Sequence, residues 1–168
     1  MNPMRWRLEN GLFVALIMAL FGTVAAGENA IERIRKNGKL ILATGNYRPF
    51  EYRDEKTNDL VGYDIDLAKI IANKIGVPLE AQDMNFQSII PTLQNGRADI
   101  VIAAMYITPA RREVVDFADP YMDTGMVLVV RKDNETIKGE RDLDGLTVGA
   151  KASATSEKIA QDLLAAGA

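Results

Sequence analysis

The sequence predicts an α/β domain built on a parallel sheet, and three observations lead to this class. Apolar strand-like segments alternate with helical segments across residues 30–103, and the connections between them are short. Residues 98–103 are apolar except for Asp99, as expected of a strand that helices cover on both faces. Such sheets bind ligands in loops beyond the carboxyl ends of the strands. Three loops take that position: residues 45–49, 84–87 and 103–108.

Local signals set the boundaries of these elements. Three helices are predicted, each followed by a glycine of the kind that ends helices: residues 30–37, 64–75 and 86–95. Three strands are predicted beside them: residues 39–44, 79–84 and 98–103. A short antiparallel pair is expected between residues 50–53 and 60–63. Further along the chain, we expect two strands, at 125–131 and 146–150, and a helix at 155–165.

The first 27 residues have the composition of an export signal. Arg5 and Arg7 precede an unbroken apolar run at 11–21, and small residues at 23–27 suit cleavage by signal peptidase. A transmembrane anchor is the alternative, because the uncharged stretch 10–27 reaches the lower length limit of a spanning helix. The small residues favour a signal peptide covering 1–26 and a soluble, periplasmic product. With no cysteine in the chain, a lipid anchor is excluded.

Composition excludes several classes of function. The chain has no cysteine and no histidine, so disulfides, Cys/His metal sites and a Ser-His-Asp triad are impossible. Its 20 basic and 23 acidic residues give a net charge of −3, which predicts no nucleic-acid partner. We expect no catalytic residue, no metal and no cofactor.

Two arginines follow a predicted helix start in the last of the three loops. Thr108 is a favoured N-cap and Pro109 a favoured first helical residue. Cations in the first turn of a helix cost roughly 0.3–1 kcal/mol each. Arg112 is expected to pair with Asp116 four residues on. Arg111 has no such local partner, which indicates either a tertiary salt bridge or a site for an incoming carboxylate.

Four aromatic residues fall in or beside the same loops: Tyr47, Phe50, Phe86 and Tyr106. If they converge, they form a stacking or cation–π pocket for an amino or quaternary group. Phe50 is equally well explained as a lid on the core. Lys151 and Thr155, around the start of the last helix, indicate either a second site for an anion or a hydroxyl, opposite the first, or an ordinary solvated helix N-terminus.

Asp64 and Asp66 are best explained as residues of a helix start. Acids are expected at the N-cap and in the first turn. Helical residues two apart do not face each other, so this pair does not suit a two-carboxylate catalytic site.

Several segments resemble one family in order and spacing. GYDIDLAKIIANKI (62–75), FQSIIPTLQNGRADIVIA (86–103), ITPARREVVDFADPY (107–121) and DLDGLTVGAKASATSE (142–157) are similar to segments of the bacterial solute-binding proteins family 3, the polar amino-acid-binding subunits of ABC importers. The resemblance implies a type II periplasmic binding protein-like fold, in which two α/β lobes clamp a ligand. It places lobe 1 at 27–121 and the start of an incomplete lobe 2 at 122–168.

The resemblance also implies roles for particular residues. Arg111 would grip the ligand's carboxylate, and aromatic walls, backbone donors and second-lobe contacts would complete the site: Tyr47 and Phe86, Ala104 and Tyr106, and Lys151 and Thr155 respectively. Tyr106 departs from the family, which usually carries a small Ser or Thr there. That departure resembles binders of compatible solutes of the ectoine type.

The expected function is therefore capture of a small zwitterion, a polar amino acid or an ectoine-like solute, for an ABC permease in the inner membrane. The expected state is a monomer when the fold is complete. Three alternatives stay open: an enzyme on the same scaffold, such as a cyclohexadienyl dehydratase, a sensory domain, or an inactive truncated remnant.

Overall fold

The computed structural model describes residues 29–166. The expected signal peptide, residues 1–26, lies outside the described residues. Within 29–166, none of the helices has the length and apolar character needed to span a membrane.

Five helices and five strands form the described part of the chain. The helices are α1 Ala30–Asn37, α2 Tyr63–Ile75, α3 Phe86–Gln94, α4 Pro109–Arg112 and α5 Thr155–Ala165, with a 3-10 turn at Glu140–Leu143. The strands are β1 Leu40–Thr44, β2 Tyr52–Arg53, β3 Leu60–Val61, β4 Leu79–Asp83 and β5 Ile100–Val101. Up to residue 112, the predicted elements are confirmed to within a few residues at their ends.

The main sheet is parallel, as predicted. Its strand order is β4-β1-β5, with Leu40 opposite Leu79 and Leu42 opposite Ile100. β2 and β3 form the expected antiparallel pair. β1 therefore lies at the centre of the sheet, and the carboxyl ends of β1, β4 and β5 meet at one edge.

The two faces of β1 pack against different helices. Leu42 is fully buried against Ile65 and Ala68 of α2 on one face. Ala43, the next residue, is buried against Ile89 of α3 on the other face. Burying a side chain such as that of Leu42 contributes about 1.5–3 kcal/mol relative to leaving it exposed. The prediction of helices on both faces of the sheet is confirmed.

A side chain shortens the predicted strand at 98–103. The Ile41 N–H donates to Asp99 Oδ2 over 3.0 Å, and Arg33 pairs with Asp99 Oδ1 at 3.3 Å. The carboxylate thus takes a backbone donor that a regular ladder would bond to a carbonyl, and β5 covers only Ile100–Val101.

The predicted strands at 125–131 and 146–150 are wrong. Neither segment belongs to a strand in the structure, and Val127 and Val129 are 80% and 85% exposed. An apolar, β-branched run indicates the capacity to form a strand, but a strand also needs a neighbour for its hydrogen bonds. Neither segment has a ladder partner within the described residues.

Gly62, not Asp64, caps α2. Its φ is +121°, a conformation that side-chain-bearing residues rarely adopt. A Cβ at Gly62 would lie 2.3 Å from the carbonyl oxygen of Phe50. Asp64 and Asp66 lie in the first turn of α2, as predicted, but Asp64 is fully buried and makes no side-chain cap bond at this helix start.

We expect Gly62→Ala to lower the free energy of unfolding by about 3 kcal/mol, because it combines backbone strain with a clash against main chain. Urea denaturation measures the change. Gly38→Ala is the matched control, since Gly38 also has positive φ (+73°) but a Cβ added there would meet nothing within 4 Å. A loss at Gly62 no larger than that at Gly38 would contradict the close contact.

Candidate functional site

Three loops meet at the carboxyl edge of the sheet, as predicted. Tyr47 follows β1 and Phe86 follows β4, and the ammonium of Lys151 lies over both rings. Lys151 Nζ is 5.2 Å from the ring centre of Tyr47 and 4.7 Å from that of Phe86. The loop before α5 therefore faces the loops after β1 and β4.

Local chemistry of the chain positions Arg111. Thr108 Oγ1 accepts a hydrogen bond from the Arg111 N–H over 3.3 Å, and Pro109 occupies the first helical position. Both features agree with the sequence prediction. This short helix directs the guanidinium back across its own loop and toward the loop before α5.

Within residues 29–166, the guanidinium of Arg111 bonds to neutral oxygens only. Nη1 donates to Tyr106 O over 2.7 Å and reaches Thr155 Oγ1 at 3.5 Å, and Nη2 donates to Ser153 O over 3.1 Å. Its carbon atom Cζ lies 5.5 Å from the ring centre of Phe86. One cation thus connects the loop after β5, at Tyr106, with the loop before α5, at Ser153 and Thr155.

No carboxylate pairs with Arg111 among residues 29–166, so the tertiary salt bridge considered from sequence is absent there. Partial burial lowers the pKa of the guanidinium, although arginine keeps its proton in proteins. A half-buried positive charge without a negative partner is costly, and an anion at this point would remove that cost.

The predicted ion pair between Arg112 and Asp116 does not form. No ion pair joins them, and Arg112 is exposed. The reason is geometric: α4 ends at Arg112, so the four-residue spacing does not place the two side chains on one helix face.

The aromatic residues divide into two groups. Tyr47 stacks on Phe50, with ring centres 5.8 Å apart, and Phe50 meets the edge of Tyr63 at 6.5 Å. Phe50 thus extends an aromatic row away from the two cations that contact Phe86. Tyr106 adds its carbonyl oxygen to the site, and no ring contact of its own is found in the described residues.

The backbone of Ala104 is already engaged. Its φ is +44°, and its N–H donates to Asp64 Oδ2 over 2.6 Å. The expectation of Ala104 as a backbone donor to a ligand therefore needs correction, because that amide bonds to the protein. The N–H of Tyr106, by contrast, has no acceptor within the described chain.

A buried carboxyl pair below the loops escaped sequence reasoning. Glu51 and Asp64 are both 0% exposed, and burial, followed by the neighbouring Asp64, raises the pKa of Glu51 to about 8. Acids are almost never fully buried unless paired. No local spacing connects two residues in different elements, so only the fold reveals this pair.

A cleft of about 270 Å³ lies beside Lys151 and Phe86. It is lined by Asn85, Phe86, Gln87, Lys151 and Ala152. Within residues 29–166, no cluster of three or more acidic side chains has the arrangement of a metal site.

Comparison with known proteins identifies the family. The family model of the bacterial extracellular solute-binding proteins, family 3, matches residues 40–166. The chain is 36% identical over 160 residues to the arginine-binding extracellular protein ArtP of Bacillus subtilis (strain 168). This match covers 95% of this chain and 60% of ArtP. It is 38% identical over 141 residues to the glutamine-binding protein of Geobacillus stearothermophilus, covering 80% of this chain and 53% of that protein.

Solved structures show the same fold. An ancestral arginine-binding protein bound to arginine superposes with a TM-score of 0.74 at 45% identity, covering 77% of this chain and 57% of that chain. The ancestral amino acid-binding protein AncCDT-1, a precursor of cyclohexadienyl dehydratase, superposes with a TM-score of 0.78 at 40% identity. That match covers 82% of this chain and 62% of AncCDT-1. The type II periplasmic binding protein fold is confirmed, and the chain spans 53% to 60% of the length of the two curated relatives. By sequence and by fold, the chain belongs to the bacterial extracellular solute-binding proteins, family 3.

Proposed function

We propose that this protein is an exported solute-binding protein that captures a small zwitterion, an amino acid or a related compatible solute, for an ABC importer. The observation that carries the proposal is the half-buried guanidinium of Arg111, which has no carboxylate partner among residues 29–166. The names of the relatives support the same ligand class, since they include arginine-, glutamine-, histidine- and cystine-binding proteins.

A ligand carboxylate would bind at Arg111. Its present acceptors, Tyr106 O and Ser153 O, are neutral carbonyl oxygens, whereas a ligand carboxylate would add the attraction of an opposite charge. The planar guanidinium suits two parallel bonds to a carboxylate. The hydroxyl of Thr155, 3.5 Å from Arg111 Nη1, and the N–H of Tyr106, which has no acceptor among the described residues, would supply further donors.

The cationic part of the ligand would lie against the rings of Tyr47 and Phe86. Both rings already contact the ammonium of Lys151, which supports their suitability for a positive group. A cationic ligand group at this position would compete with Lys151. A ligand held between Arg111 and these rings would contact residues from both sides of the cleft.

Closure of the cleft would then follow from differential affinity. Arg111 contacts its own loop through Tyr106 and the loop before α5 through Ser153 and Thr155. A ligand that bonds to both loops stabilises the arrangement in which they are close. This gives an importer a structural difference by which to recognise the loaded protein. Export through residues 1–26, a periplasmic location, a monomeric state and the two-lobe division at 121/122 belong to the same proposal.

The enzyme alternative has less support. AncCDT-1 is named as an amino acid-binding protein. The acid with the raised pKa, Glu51, is fully buried and therefore cannot reach a substrate in the cleft.

Arg111→Ala is expected to weaken binding about 10- to 100-fold, because a charge-assisted interaction of about 1.5–3 kcal/mol is lost. Isothermal titration of the full chain with L-arginine, L-glutamine, L-histidine, L-cystine and ectoine measures the change. Arg112→Ala is the matched control, because it removes the adjacent, exposed arginine and leaves binding unchanged. Absence of binding by all five compounds, or equal effects of the two substitutions, would refute the proposal.

Phe86→Leu is expected to weaken binding of the same compound about 3- to 30-fold, since a cation–π contact contributes roughly 0.5–2 kcal/mol. Phe117→Leu, a half-buried phenylalanine outside the three loops, controls for general effects on packing. Thermal denaturation of both variants verifies folding. Equal affinities of the two variants would remove Phe86 from the site.

A further inference from the structure

We infer that the carboxyl groups of Glu51 and Asp64 share one proton and that this pair positions the backbone of residues 104–106, so that loss of the proton weakens ligand binding. The inference rests on the proposed function and adds a proton-dependent positioning pair to it. Neither residue touches the cleft.

The fold forces the two carboxyls together out of contact with solvent. Glu51 is held by reciprocal backbone bonds with Tyr47, of 2.6 and 3.0 Å, and the Asp64 N–H donates to Phe50 O over 2.8 Å. Both side chains are completely buried. A Cβ on Gly45 would lie only 3.1 Å from Glu51 Oε1, so the chain above the pair is tightly packed. Two buried carboxylates this close cannot both stay ionised, because their repulsion is not screened.

Several oxygens of these two carboxyl groups lack a hydrogen-bond donor. Asp64 Oδ2 accepts from the Ala104 N–H at 2.6 Å and from the Tyr121 hydroxyl at 3.2 Å. Asp64 Oδ1 and both oxygens of Glu51 receive no N–H or O–H donor within the described residues. A proton on Glu51 would supply the missing donor to the neighbouring Asp64 Oδ1, because a protonated carboxyl donates one O–H bond. One proton therefore pairs two of these three oxygens.

The surrounding charges place that proton on Glu51 near neutral pH. Burial is the largest cause of its raised pKa of about 8, Asp64 adds to it, and Lys151 opposes it. Tyr121 also faces both carboxyls, and burial followed by Asp64 raises the pKa of its phenol, so Tyr121 remains a neutral donor. These are the titratable groups that act on the pair.

The pair is connected to the site through Ala104. This residue holds a left-handed conformation, φ +44°, which is unfavourable for alanine and persists only where other interactions fix it. The bond from its N–H to Asp64 is such an interaction. Two residues on, Tyr106 O accepts from Arg111 Nη1. Ionisation of Glu51 would place a second negative charge beside that of Asp64. The repulsion would break the bond from the Ala104 N–H to Asp64 and so disturb the Tyr106 carbonyl that orients the guanidinium.

The test measures binding against pH. The probe is whichever of L-arginine, L-glutamine, L-histidine and L-cystine binds the full wild-type chain at about pH 6.5. Between about pH 6.5 and 9, the wild-type affinity is expected to fall about tenfold relative to Glu51→Gln, since binding is linked to a proton lost near pH 8. The amide introduced by Glu51→Gln keeps a donor toward Asp64 at every pH, and the ratio of the two affinities cancels titration of the ligand itself. A constant ratio would overturn the inference.

Two readouts do not need a ligand. Infrared difference spectra of the wild type are expected to show a protonated carboxylic acid at neutral pH that disappears near pH 8 and is absent from Glu51→Gln. The hydrogen-exchange protection of the Ala104 amide should decline over the same pH range. An absent acid band, or Ala104 protection that does not follow it, refutes the inference even if Glu51→Gln does not fold. If no probe binds but both signals appear, the proposed function fails and the proton-sharing pair stands.

Stability gives a further expected result. An unfolded glutamate releases its proton near pH 4.5 and the folded one near pH 8, so the folded state holds more protons between these values. The free energy of unfolding of the wild type relative to Glu51→Gln should therefore fall as pH rises from about 4.5 to 8 and stay level above that. Urea denaturation at each pH measures it, and a difference that rises with pH would contradict the shared proton.

Discussion

The parallel pairing of β1 with β4 on one side and β5 on the other is the constraint on which the rest of the structure depends. Parallel strands bring their carboxyl ends to the same edge, so this pairing alone assembles the loops that carry Tyr47, Phe86 and Arg111. Leu42 and Ala43 fix the pairing from opposite faces, because their neighbours on α2 and α3 can be buried in only one register. The candidate site is thus a consequence of core packing.

Charge distribution at this edge follows a simple arrangement. Two cations, Arg111 and Lys151, lie at the surface of the cleft against rings and neutral oxygens. Two acids, Glu51 and Asp64, lie buried beneath it. Neither Glu51 nor Asp64 forms an ion pair with Arg111 or Lys151, although Lys151 exerts a weaker influence on the pKa of Glu51. A negative group of a ligand meets positive charge at the surface and no competing carboxylate beside Arg111.

Much of this arrangement was predictable from sequence, because it depends on local signals. Alternating strands and helices indicated the parallel sheet and its three loops, and Thr108 with Pro109 indicated the helix start that positions Arg111. The side chain of Arg111 then reaches partners that no spacing rule connects, at Ser153 and Thr155.

What sequence could not supply depends on contacts between distant segments. Only the fold brings Asp64 and Glu51 together, and the helix-start signal of Asp64 does not reveal that its carboxylate is buried and accepts from the Ala104 N–H. The apolar runs at 125–131 and 146–150 have strand composition, but a strand is a property of a pair, and the run itself does not specify whether a partner is present. β5 is shorter than predicted for a related reason, because the Ile41 N–H donates to the side chain of Asp99 and not to a carbonyl of the neighbouring strand.

The run from Met126 to Val130 has a consequence for the behaviour of the chain in solution. It is an uncharged stretch of branched and apolar residues without proline; its residues are exposed, and its main-chain groups form no hydrogen bond within the described residues. Such a stretch can pair with another strand. A second polypeptide with unpaired backbone groups, another copy of this chain included, can form a ladder of backbone hydrogen bonds along it. Association of this chain should therefore grow with concentration and begin at this stretch, which contributes no residue to the lining of the cleft.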